Sequence, residues 1–116
     1  MKKNKAEKEN YLERVPIRRE DIGFKTDENG LVTLEIENKG LFNRIAQKLF
    51  KKPRVSYIHL DEMGSFIWPI VDGEKSIYDL SFFVDKHFGE KAHPLYERLA
   101  QYFRILESYG FIVWKR

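Results

Sequence analysis

The chain has 116 residues, of which 42% are hydrophobic and 15% aromatic, and its 21 basic and 18 acidic residues give a net charge of +3. This length corresponds to one domain, and the apolar share is sufficient for a buried core, which excludes a generally disordered chain. The absence of cysteine excludes disulfides, thiolate metal sites and thiol nucleophiles, and the lack of a long apolar run predicts a soluble cytoplasmic protein.

The N-terminal sequence "MKKNKAEKENY" is polar and rich in lysine. Such a segment has too little apolar surface to pack against a core, so we expect residues 1–10 to form a flexible charged tail. The remaining residues 11–116 are predicted to form a single domain.

Two strands and a hairpin are predicted between residues 22 and 37. Val32, Leu34 and Ile36 alternate with polar residues, which is the period of a strand with one buried face. The preceding Asn29-Gly30 favours a tight hairpin turn, because both residue types tolerate positive φ. A third strand follows at "RVSYIHL", and its two faces carry Val55, Tyr57 and His59 on one side and Ser56, Ile58 and Leu60 on the other.

Residues 38–53 separate the second strand from the third with a different periodicity. Leu41, Ile45 and Leu49 recur every four residues, which predicts a short amphipathic helix that Pro53 ends. Its polar face is basic. The helix is interpreted as a surface helix packed on the domain, with a contact to a membrane or a partner as the alternative.

Three helices with short connections are predicted after the third strand. Asp61 can cap the first helix, which must kink or end near Trp68 because Pro69 lacks an amide hydrogen. Asp72-Gly73 supplies a turn, and Ser76 then opens the second helix. Its inward residues are expected at Ile77, Leu80, Val84 and Phe88, after a capping box of Ser76 with Asp79.

The third helix, predicted over residues 94–109, has an unusually wide apolar arc. Leu95, Leu99, Tyr102, Leu106 and Tyr109 form one stripe, which Tyr96, Ala100 and Phe103 widen. A helix of this kind contacts two surfaces, and we expect one to be the core and the other to be the terminal strand or a bound partner. The predicted fold class is α+β and winged helix-turn-helix-like, with three N-terminal antiparallel strands, three helices and a short terminal strand.

The segment "YIHLDEMGSFIWPIVDGEKSIYDLSFFVDKHFG" resembles the PqqD-like family, in which a strand ending in Leu-Asp or Leu-Asn precedes a short helix, an Asp-Gly turn, a Ser- or Thr-capped helix and a longer helix. The spacing of Leu60-Asp61 and Asp72-Gly73 is the most specific part of this resemblance. It covers residues 55–113 well, and the hairpin at residues 22–37 fits the family's first two strands less distinctively.

The resemblance implies a non-catalytic peptide-binding adaptor, the recognition element of pathways that modify ribosomally made peptides. In that family the leader of the precursor adds to the third strand and lies against the third helix, and the module presents the precursor to a modifying enzyme, often a radical S-adenosylmethionine enzyme. The implied binding strand consists of Val55, Ser56, Tyr57, Ile58 and His59. The helix side chains inferred from the helical wheel are Tyr96, Leu99, Ala100 and Phe103.

The insertion at residues 38–53 departs from the shorter family pattern and leaves two arrangements open. It covers the edge that the peptide needs, or it forms a rim whose Arg44 and Lys48 attract an acidic leader.

DNA binding by the third helix is the alternative function. That helix carries Arg98, Gln101 and Arg104 against two glutamates, a thin basic face for phosphate contacts. No enzyme activity, cofactor or metal is expected, because the three histidines lack ligand-like spacing and Ser65 and Ser76 lack an activating base.

Overall fold

Antiparallel pairing joins all the described strands, and the fold is α+β, as predicted. The structure is a computed structural model that describes residues 10–38 and 54–116. Among these residues the chain forms two units. The first unit contains residues 10–19 and Phe66–Arg116, and the second contains the described part of Glu20–Ser65. Residue 38 of the predicted inserted helix belongs to a strand instead, and the rest of that helix, residues 39–53, lies outside the described residues, as do residues 1–9 of the predicted tail.

The second unit is built on a three-stranded sheet. Its strands are β2 (Gly23–Thr26), β3 (Val32–Asn38) and β4 (Arg54–His59), in the spatial order β2-β3-β4. All pairs are antiparallel, and Leu34 lies opposite Phe24 on one side and Ile58 on the other. Val32 and Leu34 are buried and Ile36 is half-buried, which confirms the predicted alternation.

The turn between β2 and β3 is held by one side chain. The Asp27 carboxylate accepts hydrogen bonds from the backbone amides of Asn29 and Leu31, at 2.8 and 2.9 Å. Gly30 adopts a φ of 81°, a conformation that glycine accepts without a steric cost. The predicted hairpin at Asn29-Gly30 is therefore confirmed, with Asp27 as an additional determinant.

Three helices follow β4, as predicted. They are α1 (Glu62–Ile70), α2 (Ile77–Phe88) and α3 (Leu95–Ser108), and a 3₁₀ turn at Gly89–Ala92 separates the last two. The predicted capping box of Ser76 and Asp79 is present at the start of α2. Helix α1 continues two residues beyond Trp68 and contains Pro69 in its last turn. The helix residues with no exposed surface are Ile67, Trp68, Ile77, Leu80, Val84, Leu99 and Phe103.

The predicted terminal strand is present, but the prediction missed one strand near the start of the described chain. Pro16–Arg18 forms an additional strand, β1, which pairs antiparallel with the terminal strand β5 (Ile112–Trp114) in a separate two-stranded sheet. Four strands therefore precede the helices instead of three. Flanking backbone bonds, from Arg19 to the Phe111 carbonyl and from Lys115 to the Val15 carbonyl, extend this pairing. Because the partner of β1 is so distant in sequence, no turn signal lies beside β1. Local sequence patterns therefore do not predict this strand.

Candidate functional site

Strand β4 lies at the edge of its sheet. It pairs with β3 on one side, and no described strand pairs with its other side. The amide of Leu60 donates to the Val32 carbonyl at 2.9 Å, so the backbone groups of Leu60 face β3. Because this orientation alternates along an antiparallel ladder, Ser56 and Ile58 also face β3. The N–H and C=O groups of Val55, Tyr57 and His59 therefore point to the unpaired edge.

The side chains of β4 also divide into two sets. Val55, Tyr57 and His59 share the outward face of the sheet with Thr33 and Glu35, according to the pairing register. Tyr57 is 58% exposed and provides a large aromatic surface directly beside the edge. The other face carries Ser56 and Ile58 next to the buried Leu34 and continues the apolar side of the sheet. The edge is thus bordered by one polar and one apolar face.

The end of β4 is fixed by the start of α1. The Ser65 hydroxyl accepts a hydrogen bond from the Val32 amide at 2.8 Å and donates one to the Leu60 carbonyl at 3.3 Å. The Asp61 carboxylate accepts from the Gly64 amide at 2.7 Å, which confirms the predicted helix cap. The imidazole Nδ1 of His59 lies 2.9 Å from the Thr33 hydroxyl. These contacts hold β4 in register with β3 and fix the position of its outer edge.

The predicted contributors from α3 differ in accessibility. Leu99 and Phe103 have 0% exposed surface, so both are core residues, whereas Ala100 is half-buried and Tyr96 is exposed. The predicted peptide-binding residues therefore fall into both units, with β4 in the second and α3 in the first. On α3, only Tyr96 presents a large apolar surface among the four predicted side chains.

An exposed aromatic cluster surrounds Tyr96, and two of its members were not predicted. The Tyr78 ring stacks on Tyr96 with a centroid distance of 6.4 Å and packs edge-on against Phe82 at 5.0 Å. All three side chains are exposed. The sequence signal was present, because Tyr78 and Phe82 are four residues apart on the side of α2 opposite its predicted inward residues.

The wide apolar arc of α3 is explained partly by β5. Phe103 packs against Trp114, with ring centroids 6.5 Å apart, and the Trp114 indole donates to the Glu107 carboxylate at 2.7 Å. The terminal strand is thus one of the two surfaces that α3 contacts, as expected. Tyr109 stacks on Phe111 with ring centroids 5.4 Å apart but remains exposed, as does Tyr96 beside Tyr78.

The basic residues of α3 make intramolecular contacts. Arg98 donates to the Lys91 carbonyl, and the Arg104 guanidinium lies 4.8 Å from the centroid of the Tyr11 ring. Both side chains have a structural role in the first unit. The DNA-binding alternative therefore gains no supporting observation from the described part of α3.

The three histidines are dispersed among separate contacts. His59 interacts with Thr33, His87 stacks on Phe66 with ring centroids 4.3 Å apart, and His93 lies 3.0 Å from the Asp85 carboxylate. Within residues 10–38 and 54–116 no group of three or more histidine, aspartate or glutamate residues is arranged to hold a metal ion.

Two titrating groups of the described residues have shifted pKa values. Hydrogen bonds from the side chain and amide of Lys75, and from the Glu74 amide, hold the pKa of Asp72 well below its usual range. Asp72 is thus an anchor of the predicted Asp-Gly turn. Burial raises the pKa of Tyr11 to about 12, and the nearby Glu107 carboxylate adds to this effect. The Tyr11 hydroxyl is buried without a hydrogen-bond partner among the described residues.

None of the helices in the described ranges is long and apolar enough to cross a membrane.

Comparisons with known proteins found no relative of this chain. No family model, no curated protein and no solved structure matches this chain.

Proposed function

We propose that this chain is a non-catalytic peptide-binding adaptor of the PqqD-like, winged helix-turn-helix kind. It captures the leader of a ribosomally made precursor peptide by strand addition to β4 and presents the precursor to a modifying enzyme. A radical S-adenosylmethionine enzyme is the first candidate for that partner, because such enzymes often accompany the family that the sequence resembles.

One observation carries this proposal. Val55, Tyr57 and His59 direct their backbone donors and acceptors to an edge that no described strand occupies. An unpaired edge of this kind accepts an extended peptide through main-chain hydrogen bonds, and the flanking side chains select its sequence. The contacts of Ser65 and Asp61 hold this edge in place before a ligand arrives, which lowers the entropic cost of binding.

The proposal is tested by titrating isotope-labelled protein with synthetic peptides that represent short reading frames near its gene. Strand addition gives new hydrogen bonds to the amides of Val55, Tyr57 and His59, so these amides should shift and become protected from exchange. The amides of Ser56 and Ile58 already face β3 and should change less. An alternating response along β4 supports the proposal. Peptide binding that leaves β4 unchanged, or tight binding to DNA that weakens steeply with salt, would contradict it.

A further inference from the structure

The outward face of the three-stranded sheet has an uneven distribution of charge. In the register of the sheet, Lys25 lies opposite Thr33, and Thr33 lies opposite His59, so this row contains no carboxylate. The next row contains Glu35 opposite Tyr57. The row after that contains Glu37 opposite Val55. Carboxylates thus lie behind Tyr57 and Val55, whereas Thr33 lies behind His59.

A peptide strand added to β4 would extend these rows by one residue. Because the N–H and C=O groups of Tyr57 point to the edge, a peptide residue opposite Tyr57 makes a hydrogen-bonded pair with it, and its side chain lies on the outward face. The peptide residues on either side of this position point to the opposite face. There they lie next to Ser56 and Ile58, on the apolar side of the sheet that contains Leu34.

From this placement we infer that the edge of β4 selects a peptide with a lysine or arginine opposite Tyr57, flanked on both sides by aliphatic residues. This inference rests on the proposed function and specifies the ligand of the same site. The cationic side chain lies along the exposed Tyr57 ring and points towards Glu35, so it gains a cation–π contact and a carboxylate partner. Glu35 already attracts one cation, since Lys25 lies 3.7 Å from its carboxylate.

The same charges disfavour two alternatives. A basic residue opposite His59 has Thr33 behind it instead of a carboxylate, and one opposite Val55 lacks the aromatic ring, so the preference is for the position opposite Tyr57 and not for cationic peptides in general. An acidic residue opposite Tyr57 faces Glu35 and is repelled. The predicted attraction of an acidic leader by Arg44 and Lys48 gives the opposite preference, and both residues lie outside the described ranges.

The test uses a displayed library of random dodecapeptides, selected on the full chain, on Glu35→Gln and on Glu90→Gln. Glu90→Gln is the matched control, because it removes the same charge from an exposed residue of the first unit. Selection on the unchanged chain should recover a basic residue between two aliphatic residues. Representative peptides should bind Glu35→Gln roughly three- to ten-fold more weakly, with unchanged affinity for Glu90→Gln.

Amide shifts of the selected peptides separate the possible failures. Peptides that perturb β4 but show an acidic preference, or no charge preference, would overturn the inference and leave the proposed function intact. Peptides that bind without perturbing β4, or a selection that recovers no binding sequence, would overturn the proposed function and this inference with it.

Discussion

Proline substitutions at neighbouring positions of β4 should have opposite consequences. In Tyr57→Pro the lost amide hydrogen points to the unpaired edge, so all the hydrogen bonds between β3 and β4 remain. The fixed φ of proline and the loss of tyrosine packing should lower the free energy of unfolding by about 1 kcal/mol. In Ile58→Pro the lost amide hydrogen faces β3, where it pairs with the carbonyl of Leu34. Leu34 is fully buried.

Ile58→Pro should therefore be the more damaging change. It removes one ladder hydrogen bond, leaves a buried carbonyl without its donor and places the proline ring against β3, for a total of about 3 kcal/mol or more. The free energies of unfolding of the two variants should therefore differ by roughly 2 kcal/mol. Urea titrations followed by the amide signals of β3 measure this difference in the second unit itself.

The two variants also separate folding from binding. Tyr57→Pro should remain folded and lose peptide binding, because the central donor of the edge is missing and the proline ring occupies the place of the added strand. Equal destabilisation by both prolines, or greater destabilisation by Tyr57→Pro, would refute the assignment of the Tyr57 amide to the open edge. Unchanged peptide affinity in folded Tyr57→Pro would refute the binding role of this strand.

Three further substitutions test other contacts. Ser65→Ala leaves the Val32 amide without its acceptor and should lower the free energy of unfolding by about 2 kcal/mol in a denaturant titration, with unchanged stability as the contradicting result. Ser76→Ala removes the cap of α2 and should cost about 1 kcal/mol in the same assay, whereas Ser108→Ala, which removes a hydroxyl at the end of α3, is a control with a smaller effect. Because the pKa of Tyr11 is raised to about 12, its neutral form favours the folded state, and stability should be lost as the pH rises from about 10 towards 12. Tyr11→Phe should remove this part of the alkaline dependence, and an identical dependence in the two proteins would contradict it.

Local sequence patterns were sufficient for the elements whose signals lie close together in the chain. The capping box of Ser76 and Asp79 and the hairpin at Asn29-Gly30 each depend on residues within one turn, so their geometry follows from the residue types themselves. The edge position of β4 among the described strands also followed, because the last strand after a hairpin pairs with only one of the other two. The alternation of β4 separated Tyr57 from Ile58 correctly.

The features that were missed depend on distant partners. Strand β1 pairs with β5, and no sequence pattern near Pro16 indicates this pairing. The helical wheel of α3 ranked Leu99 and Phe103 with Tyr96, because it gives the direction of a side chain but not the element that covers it. Burial of the first two and exposure of the third were decided by packing across the unit.

The pairing of β1 with β5 has a consequence for the order of folding. The second unit is drawn from one continuous stretch of sequence, so its described strands can associate as soon as β4 has been synthesised. The first unit is drawn from two separated stretches, and residues 16–18 remain without their partner until residue 114 has been added. Loop closure over such a distance is slow, so the sheet that bears the proposed peptide-binding edge is expected to form before the unit that contains α2 and α3.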